Sequence, residues 1–207
     1  VTNVMPVYEG YSIREAIKTD NYGGNAIVEQ LMKLYEAKIP SLKGNRMMGF
    51  DIKEKECSVR DSSGKTLVQS STMFELPDGQ IIPFGSELQE IPEQIFNPVP
   101  GGFTTKSVQQ LIQESINDCD EILRQEMADN LLVVGGTTMM NGYVERLSEE
   151  VRKLVPPVKV EVLKDRIFPA WVGGSLFASL NTFHQTCITR EEYMKSGDSV
   201  VTRKCLL

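Results

Sequence analysis

The chain has 207 residues, 41% hydrophobic and 24% charged, a balance typical of a globular protein that buries a core without disulfides or metals. Its 22 Lys and Arg against 28 Asp and Glu give a formal net charge of −6, which argues against general binding to nucleic acid or anionic membranes. One His and four widely spaced Cys argue against a zinc site, and unpaired cysteines are typical of a reducing compartment, the cytoplasm or nucleus. No apolar run reaches the roughly 18 residues that a membrane-spanning helix needs.

Helix-like and strand-like patterns alternate along the chain, which predicts an α/β architecture. In the first half the pattern predicts a strand over 4–8, a short helix over 11–18, helices over 26–38 and 46–56, a hairpin of 57–60 with 66–70, and a second hairpin of 74–76 with 80–82. The longer helix is expected to use Asn25 as its N-cap and to bury Ile27, Leu31 and Leu34.

The second half continues the alternation. It predicts a helix capped by Thr104 or Thr105 and ending near 119, a shorter helix to 127, a strand over 131–134, a helix through 154, a half-exposed strand over 158–162, a helix over 171–183, and a short helix capped by Thr189. The strand over 131–134 is a continuous apolar run, which is typical of a strand buried on both faces.

The most informative local feature is the run Gly135-Gly136-Thr137-Thr138 after that strand. Two glycines at the carboxyl end of a strand let a ligand approach the backbone closely, and a helix amino terminus with threonine hydroxyls favours phosphate. Taken by itself, the run is more simply explained as a tight strand-to-helix turn. For the second pair, Gly173-Gly174, close packing is likewise favoured over a ligand.

The charged stretch over 51–56 predicts a solvated helix face when it is taken alone, with Asp51 and Lys55 placed to form an i, i+4 ion pair. His184, the single histidine, is interpreted as a surface or interface residue. Neither feature indicates catalysis.

A series of short motifs then occurs in a fixed order. They are Val1-Thr2, Pro6-Val7-Tyr8-Glu9-Gly10-Tyr11, Asp51-Ile52-Lys53-Glu54-Lys55, Glu75-Leu76-Pro77-Asp78-Gly79-Gln80, Gly135-Gly136-Thr137-Thr138-Met139, Trp171-Val172-Gly173-Gly174-Ser175 and Arg203-Lys204-Cys205. A chain with these motifs, in this order and spacing, resembles the actins and actin-related proteins along its whole length.

The resemblance implies the actin-like, ribonuclease-H-like ATPase fold, in which two α/β domains enclose ATP and a divalent cation. Residues 1–22 and 104–168 then resemble the inner lobe of the larger domain, and residues 23–103 its outer lobe. Residues 169–207 resemble the carboxyl-terminal segment that packs on the smaller domain.

The resemblance also implies a nucleotide site. Gly135, Gly136, Thr137 and Met139 correspond to the loop beneath the nucleotide's phosphates and adenosine. Lys53 and Glu54 correspond to the pair beside adenine and ribose, and Gly24 falls at a nucleotide-adjacent turn. For Lys53 and Glu54, the role implied by the resemblance therefore differs from the solvated helix face that the local pattern predicts.

Departures from the family pattern reduce the activity expected of this chain alone. The chain begins just after the family's second phosphate loop, and the first loop, the catalytic glutamine and the metal-associated acidic residues belong to the preceding half. Asn3, Met140 and Ile167 stand where the family has a histidine, an aromatic residue and a lysine. Full-length members are slow ATPases, but no catalytic residue or metal ligand is assigned here. ATP or ADP with Mg²⁺ is expected only together with the N-terminal half, and the chain alone is expected to bind ATP weakly or not at all.

Three functions follow from the resemblance. The first is an actin-like cytoskeletal protein, in the cytoplasm, that binds ATP and forms filaments or a larger complex with other actin-like protomers. The second is a non-polymerising actin-related subunit of an axonemal, motor or chromatin-remodelling assembly, which adds the cilium and nucleus as compartments. The third, a sugar kinase or chaperone ATPase sharing the fold, has no substrate-domain signature in this sequence.

Partner binding is expected at the carboxyl-terminal segment. A groove for actin-binding proteins is assigned to Ser175, Leu176, Leu180, Thr182 and Thr186. Thr186 replaces a larger apolar residue of the family, and the loop over 97–105 is unusually rich in Pro and Gly. Both departures favour a divergent subunit, whereas the overall similarity favours a filament former. The apolar side chains from Trp171 to Phe183 are expected to be exposed without a partner.

Overall fold

The computed structural model describes residues 1–65, 73–76, 79–98 and 105–205. These residues divide into two compact units, Val1–Ile167 and Phe168–Leu207, each described here by itself. No helix in the described ranges is both long and apolar enough to span a membrane.

The first unit mixes helices with short strands. Its strands are β1 (Thr2–Val4), β2 (Val7–Tyr8), β3 (Tyr11–Ser12), β4 (Lys18–Asp20), β5 (Met73–Glu75), β6 (Ile81–Pro83), β7 (Leu131–Val133) and β8 (Val160–Val162). Its helices are α1 (Gly24–Lys38), α2 (Arg46–Glu56), α3 (Glu87–Glu93), α4 (Val108–Asn117), α5 (Glu121–Asp129) and α6 (Tyr143–Leu154). Short 3₁₀ turns occur at Arg14–Ala16, Pro40–Leu42 and Gly136–Met139.

The described strands pair two by two. Three pairs are antiparallel: β1 with β4, β2 with β3, and β5 with β6. The fourth pair, β7 with β8, is parallel and places Leu131 opposite Val160. Parallel neighbours end at the same edge of a sheet, so the segments after β7 and β8 lie close together. The mixed α/β architecture predicted from the alternating pattern is confirmed.

Helix α1 supplies the centre of the core. Ile27, Leu31 and Tyr35 are fully buried at i, i+4 and i+8, whereas Leu34 is 43% exposed. The prediction that Leu34 faces inward is therefore wrong. Val28 and Met32 are buried as well, so the centre of the buried face lies nearer Tyr35, and Leu34 falls at its edge. The helix also starts before Asn25, with Gly23 as its N-cap.

The predictions for helix α2 and for the hairpin of β5 with β6 are correct, but the predicted N-cap of helix α4 is wrong. Helix α2 spans the predicted residues, and the hairpin of β5 with β6 pairs Phe74 with Ile82 as expected. Helix α4 is capped by Ser107, whose backbone N–H donates to Gln110 Oε1 at 3.0 Å, and not by Thr105. A serine followed three residues later by glutamine is a capping box, which wins over an earlier threonine. The strand predicted over 66–70 and Thr104 lie outside the described residues.

Strand β7 is not buried on both faces, contrary to the prediction from its apolar run. Leu132 is 51% exposed and Val134 is 45% exposed. Within the described ranges β7 pairs only with β8 and β1 only with β4. The remaining sides of β1 and β7 line one groove of about 820 Å³, which leaves apolar strand residues in contact with solvent.

The second unit is helical. It comprises α7 (Pro169–Ala178), α8 (Phe183–Thr186), α9 (Arg190–Ser196) and α10 (Ser199–Lys204). The predicted continuous helix over 171–183 is wrong, because α7 ends at Ala178 and α8 starts only at Phe183. The predicted capping box is confirmed: Glu192 N–H donates to Thr189 Oγ1 at 3.2 Å, and Thr189 N–H donates to Glu192 Oε2 at 3.0 Å.

Candidate functional site

Three segments that are distant in the sequence meet in the first unit. A Cβ atom placed on Gly24, at the start of α1, would lie 2.3 Å from Thr137 Oγ1 and 3.3 Å from Lys53 Nζ. The structure thus brings together Gly24, Lys53 and the glycine turn, defined as residues 135–139. We call this group the lysine site.

Lys53 is the unusual residue of the site. It is only 4% exposed, and its Nζ forms no ion pair or hydrogen bond with another described residue. The ring of Phe50 lies 5.2 Å from Nζ, which gives a weak cation–π contact. Burial lowers the pKa of Lys53, only partly opposed by the nearby Glu54 carboxylate. An ammonium that is largely shielded from water and has no ion-pair partner attracts an anion.

The rest of the charged stretch follows the local pattern. Lys55 pairs with Asp51 at 3.7 Å, and Glu54 is exposed. The solvated-face interpretation is therefore correct for these three residues and wrong for Lys53, which turns inward from the same helix. Glu54, expected to act with Lys53, is adjacent to it in the chain but lies on the solvent side.

The amino terminus of α1 adds a second attraction for anions. Its N-cap is Gly23, no side chain caps the helix, and its first turn contains no acidic residue. The first backbone N–H groups of a helix carry a partial positive charge that a capping carboxylate often neutralises. In α1 no side chain of the described residues caps these groups.

The glycine turn leaves room for a ligand. Gly135 has φ +108°, a conformation that favours glycine, and a Cβ atom at Gly135 or Gly136 would meet nothing within 4 Å. Inside the turn, Thr138 N–H and Thr138 Oγ1 both donate to the carbonyl of Gly135, at 3.0 and 2.7 Å. Met139, the last residue of the turn, is 39% exposed. The turn is therefore internally bonded, with open space above its glycines.

The groove beside β1 and β7 continues to this site. Its lining includes Gly24, Gly135, Gly136 and Thr137, and Glu126 is the acidic residue among its lining residues. Lys53, Glu54 and Met139 are not part of that lining. Within the described part of the chain, no group of three His, Cys, Asp or Glu is placed to hold a metal ion.

Arg166 is a residue at the site that the sequence did not reveal. Its Nη2 donates to the Thr138 carbonyl at 2.9 Å and its Nε to Thr138 Oγ1 at 3.1 Å. Its own carbonyl accepts the Gly135 N–H at 2.6 Å. Strand topology could have indicated Arg166. This residue follows β8, and because β8 is parallel to β7, the segment after β8 lies beside the glycine turn that follows β7.

The proposed partner groove lies wholly in the second unit. Ser175 and Leu176 are in α7, Leu180 follows it, and Thr182 and Thr186 are at the start and end of α8; all five are exposed. The expected apolar exposure is observed in the same region, where Trp171 is 73% and Leu176 64% exposed. The groove residues thus belong to a surface whose larger side chains are apolar.

Gly24, Lys53 and the glycine turn therefore lie together in one α/β unit, beside the start of α1. The family model described as Actin matches residues 41–206. The chain belongs to the actin family, and its fold is the actin-like α/β fold. The match includes Lys53, Glu54, the glycine turn and the partner groove, whereas Gly24 precedes it.

The contact between α1 and the glycine turn predicts a specific effect of Gly24→Ala. The new methyl group would collide with Thr137 Oγ1, so we expect the free energy of unfolding to fall by about 1–3 kcal/mol. Adding Thr137→Ala removes that oxygen and should recover most of the loss, whereas Gly136→Ala, which meets open space, should change stability by less than about 0.5 kcal/mol. Urea unfolding of the wild type, these three variants and Thr137→Ala alone measures this, and additive losses in the double variant would contradict the contact.

Proposed function

We propose that the chain is an actin-like cytoskeletal protein whose lysine site takes part in binding ATP or ADP and which assembles into filaments or a larger complex. The observation that carries the nucleotide proposal is the buried ammonium of Lys53, without an anionic partner, beside the uncapped start of α1. This arrangement is costly without a ligand and is relieved by phosphate or another anion.

The residues fit a nucleotide in distinct ways. Lys53 would supply the fixed positive charge, and the first amides of α1 at Gly24 would donate to an anionic oxygen. Gly136 would let the nucleotide approach the backbone, with Thr137 and Met139 beside it. The family resemblance assigns the sugar to Glu54, whose exposed carboxylate is free of the core.

The nucleotide supplies the negative charge that this site lacks, and Mg²⁺ would come with its phosphates, since the described residues offer no acidic cluster for it. The chain's own part is binding and orientation. We assign no catalytic residue, and we do not propose ATP hydrolysis by this chain alone.

Assembly is supported by the surface of the second unit. Trp171, Leu176 and Leu180 are exposed together, and apolar side chains of this size commonly mark contacts between proteins. We propose that this surface receives another actin-like protomer or an actin-binding protein, in the cytoplasm and its cytoskeleton. The non-polymerising subunit is the second candidate, favoured by the exposed hydroxyls of Thr182 and Thr186 within the groove.

The test of nucleotide binding is a titration of the nitrogen-15-labelled chain with ADP and with ATP, followed by NMR. We expect weak, millimolar binding with shifts at Gly24, Lys53 and residues 135–137. Gly136→Val adds a side chain to open space at an ordinary backbone conformation, so the fold should persist while affinity falls at least about tenfold. Gly173→Val, a matched change at an open glycine of α7, should leave affinity unchanged. Equal affinity in both variants would contradict the proposed site.

The two forms of assembly separate in a sedimentation experiment. Incubation with Mg-ATP followed by high-speed pelleting and electron microscopy should give filaments if the chain polymerises. A chain that stays in the supernatant as a monomer supports the non-polymerising subunit instead. Leu176→Ser serves as the control, because it should lower pelleting only if α7 lies in the contact.

A further inference from the structure

We propose that Arg166 is a positioning residue for the lysine site. It is bonded to the glycine turn at two positions: its carbonyl accepts the Gly135 N–H at 2.6 Å, and its guanidinium donates to the Thr138 carbonyl and hydroxyl at 2.9 and 3.1 Å. A single residue outside the turn thereby holds both its first residue and its fourth. This inference rests on the nucleotide site proposed above.

The geometry explains why a guanidinium is suited to this position. Its planar group presents N–H donors in a fixed fork, so two acceptors of Thr138 are held at a defined angle. Thr138 is buried, and its hydroxyl in turn donates to the Gly135 carbonyl at 2.7 Å. Arg166, Thr138 and Gly135 therefore form one closed set of hydrogen bonds, while a Cβ atom on Gly135 or Gly136 would meet nothing within 4 Å.

The consequence for binding is preorganisation. A turn already fixed in one conformation loses little further freedom when a ligand contacts it, so the ligand binds more tightly. In this role Arg166 acts through its hydrogen bonds to Thr138 and Gly135. Loss of the fork should leave the residues that contact the nucleotide in place but let the turn fluctuate.

The experiment compares Arg166→Lys, Thr138→Val and Thr138→Ser in the full chain. Lysine keeps the positive charge but not the fork, valine keeps the shape of Thr138 but not its hydroxyl, and serine keeps the hydroxyl. Two quantities are measured: affinity for ADP by NMR titration, and amide hydrogen exchange at residues 135–138 without nucleotide. We expect Arg166→Lys and Thr138→Val each to weaken ADP binding by about tenfold and to speed exchange in the turn, with Thr138→Ser close to wild type.

Several outcomes overturn the proposal. Wild-type affinity in Arg166→Lys would mean that charge alone matters. Faster exchange in Arg166→Lys and Thr138→Val with unchanged affinity would mean that the bonds only stabilise the fold. Gly136→Val distinguishes failure of the positioning role of Arg166 from failure of the nucleotide site. If Gly136→Val weakens ADP binding while Arg166→Lys and Thr138→Val do not, only the role of Arg166 is refuted. If Gly136→Val has no effect, or if ADP does not bind at all, the proposed nucleotide site fails and this inference with it.

Discussion

Replacing Arg146 with methionine is expected to lower the free energy of unfolding by about 2–4 kcal/mol, because it removes the ion partner of Glu93 and one of the two partners of Glu150, both half-buried carboxylates. Arg146 is 9% exposed and lies between Glu93, at 2.7 Å from Nη2, and Glu150, at 2.8 Å from Nε. Its Nη1 also donates to the carbonyls of Arg60 and Asp61, both at 3.0 Å. Methionine keeps an unbranched apolar stem and removes all of these bonds.

The matched control is Lys153→Met. Lys153 also pairs with Glu150, at 3.1 Å, but from the solvent side, where exposed ion pairs contribute about 0–1 kcal/mol. Urea unfolding monitored by circular dichroism measures both variants. A loss for Arg146→Met no greater than that of the control would show that the buried pairs contribute no more than surface ones.

The pH dependence of the Arg146→Met deficit follows from Glu93. Burial raises the pKa of Glu93 in the folded protein, while Arg146 opposes that rise. Without Arg146 the pKa should rise further, so the folded state binds more protons than the unfolded state between the usual carboxyl range and the raised value. Stability then falls as pH rises through this window, and the deficit should be larger near pH 7 than near pH 4. Adding Glu93→Gln should flatten this dependence.

Replacing Lys53 with methionine is expected to have opposite effects on stability and on binding. The folded chain no longer shields an ammonium from water without an ion-pair partner, so the free energy of unfolding should rise by about 1–2 kcal/mol. Affinity for ADP should fall by at least about tenfold, because the fixed positive charge is lost. A residue that costs stability and supports binding is typical of a functional site.

Lys55→Met is the matched control on the same helix. Lys55 is exposed and pairs only loosely with Asp51, at 3.7 Å, so its replacement should change both quantities little. If Lys53→Met destabilises the chain and leaves ADP affinity unchanged, Lys53 is a packing residue and the lysine site loses its main support.

The stability of the wild-type chain should also show the titration of Lys53. Because burial lowers its pKa, the unfolded state binds more protons than the folded state between the lowered value and the usual one near about 10.4. Stability therefore rises with pH across that window, and this rise is absent from Lys53→Met. The advantage of the variant should shrink as the pH approaches about 10.

Much of the fold was predictable from local patterns. The helix over 46–56, the hairpin of β5 with β6 and the capping box at Thr189 depend on residues near one another in the chain, and all three are observed. The errors occur where distant residues decide the outcome. The apolar run of β7 predicted burial on both faces, but burial depends on which strands lie beside it, and Leu132 is exposed.

The candidate site shows the same division. The order of the motifs was enough to indicate the actin family, which the match over residues 41–206 shows, and to nominate Lys53, Gly24 and the glycine turn. The local pattern at 51–56 placed Lys53 on a solvated face, because helical spacing does not tell which neighbour covers a given side. Arg166 and Arg146 drew no attention, since their partners lie 28 and 53 residues away in the chain.

The sequence by itself determined the family, the alternation of helices and strands, and the glycines that leave room at the turn, because these depend on residue type and local order. Only the tertiary structure decided that Lys53 is buried without a counter-ion, that Gly24 contacts Thr137, and that Arg166 holds the turn. The physical reason is that desolvation and hydrogen bonding depend on which distant segments meet, and folding alone brings them together.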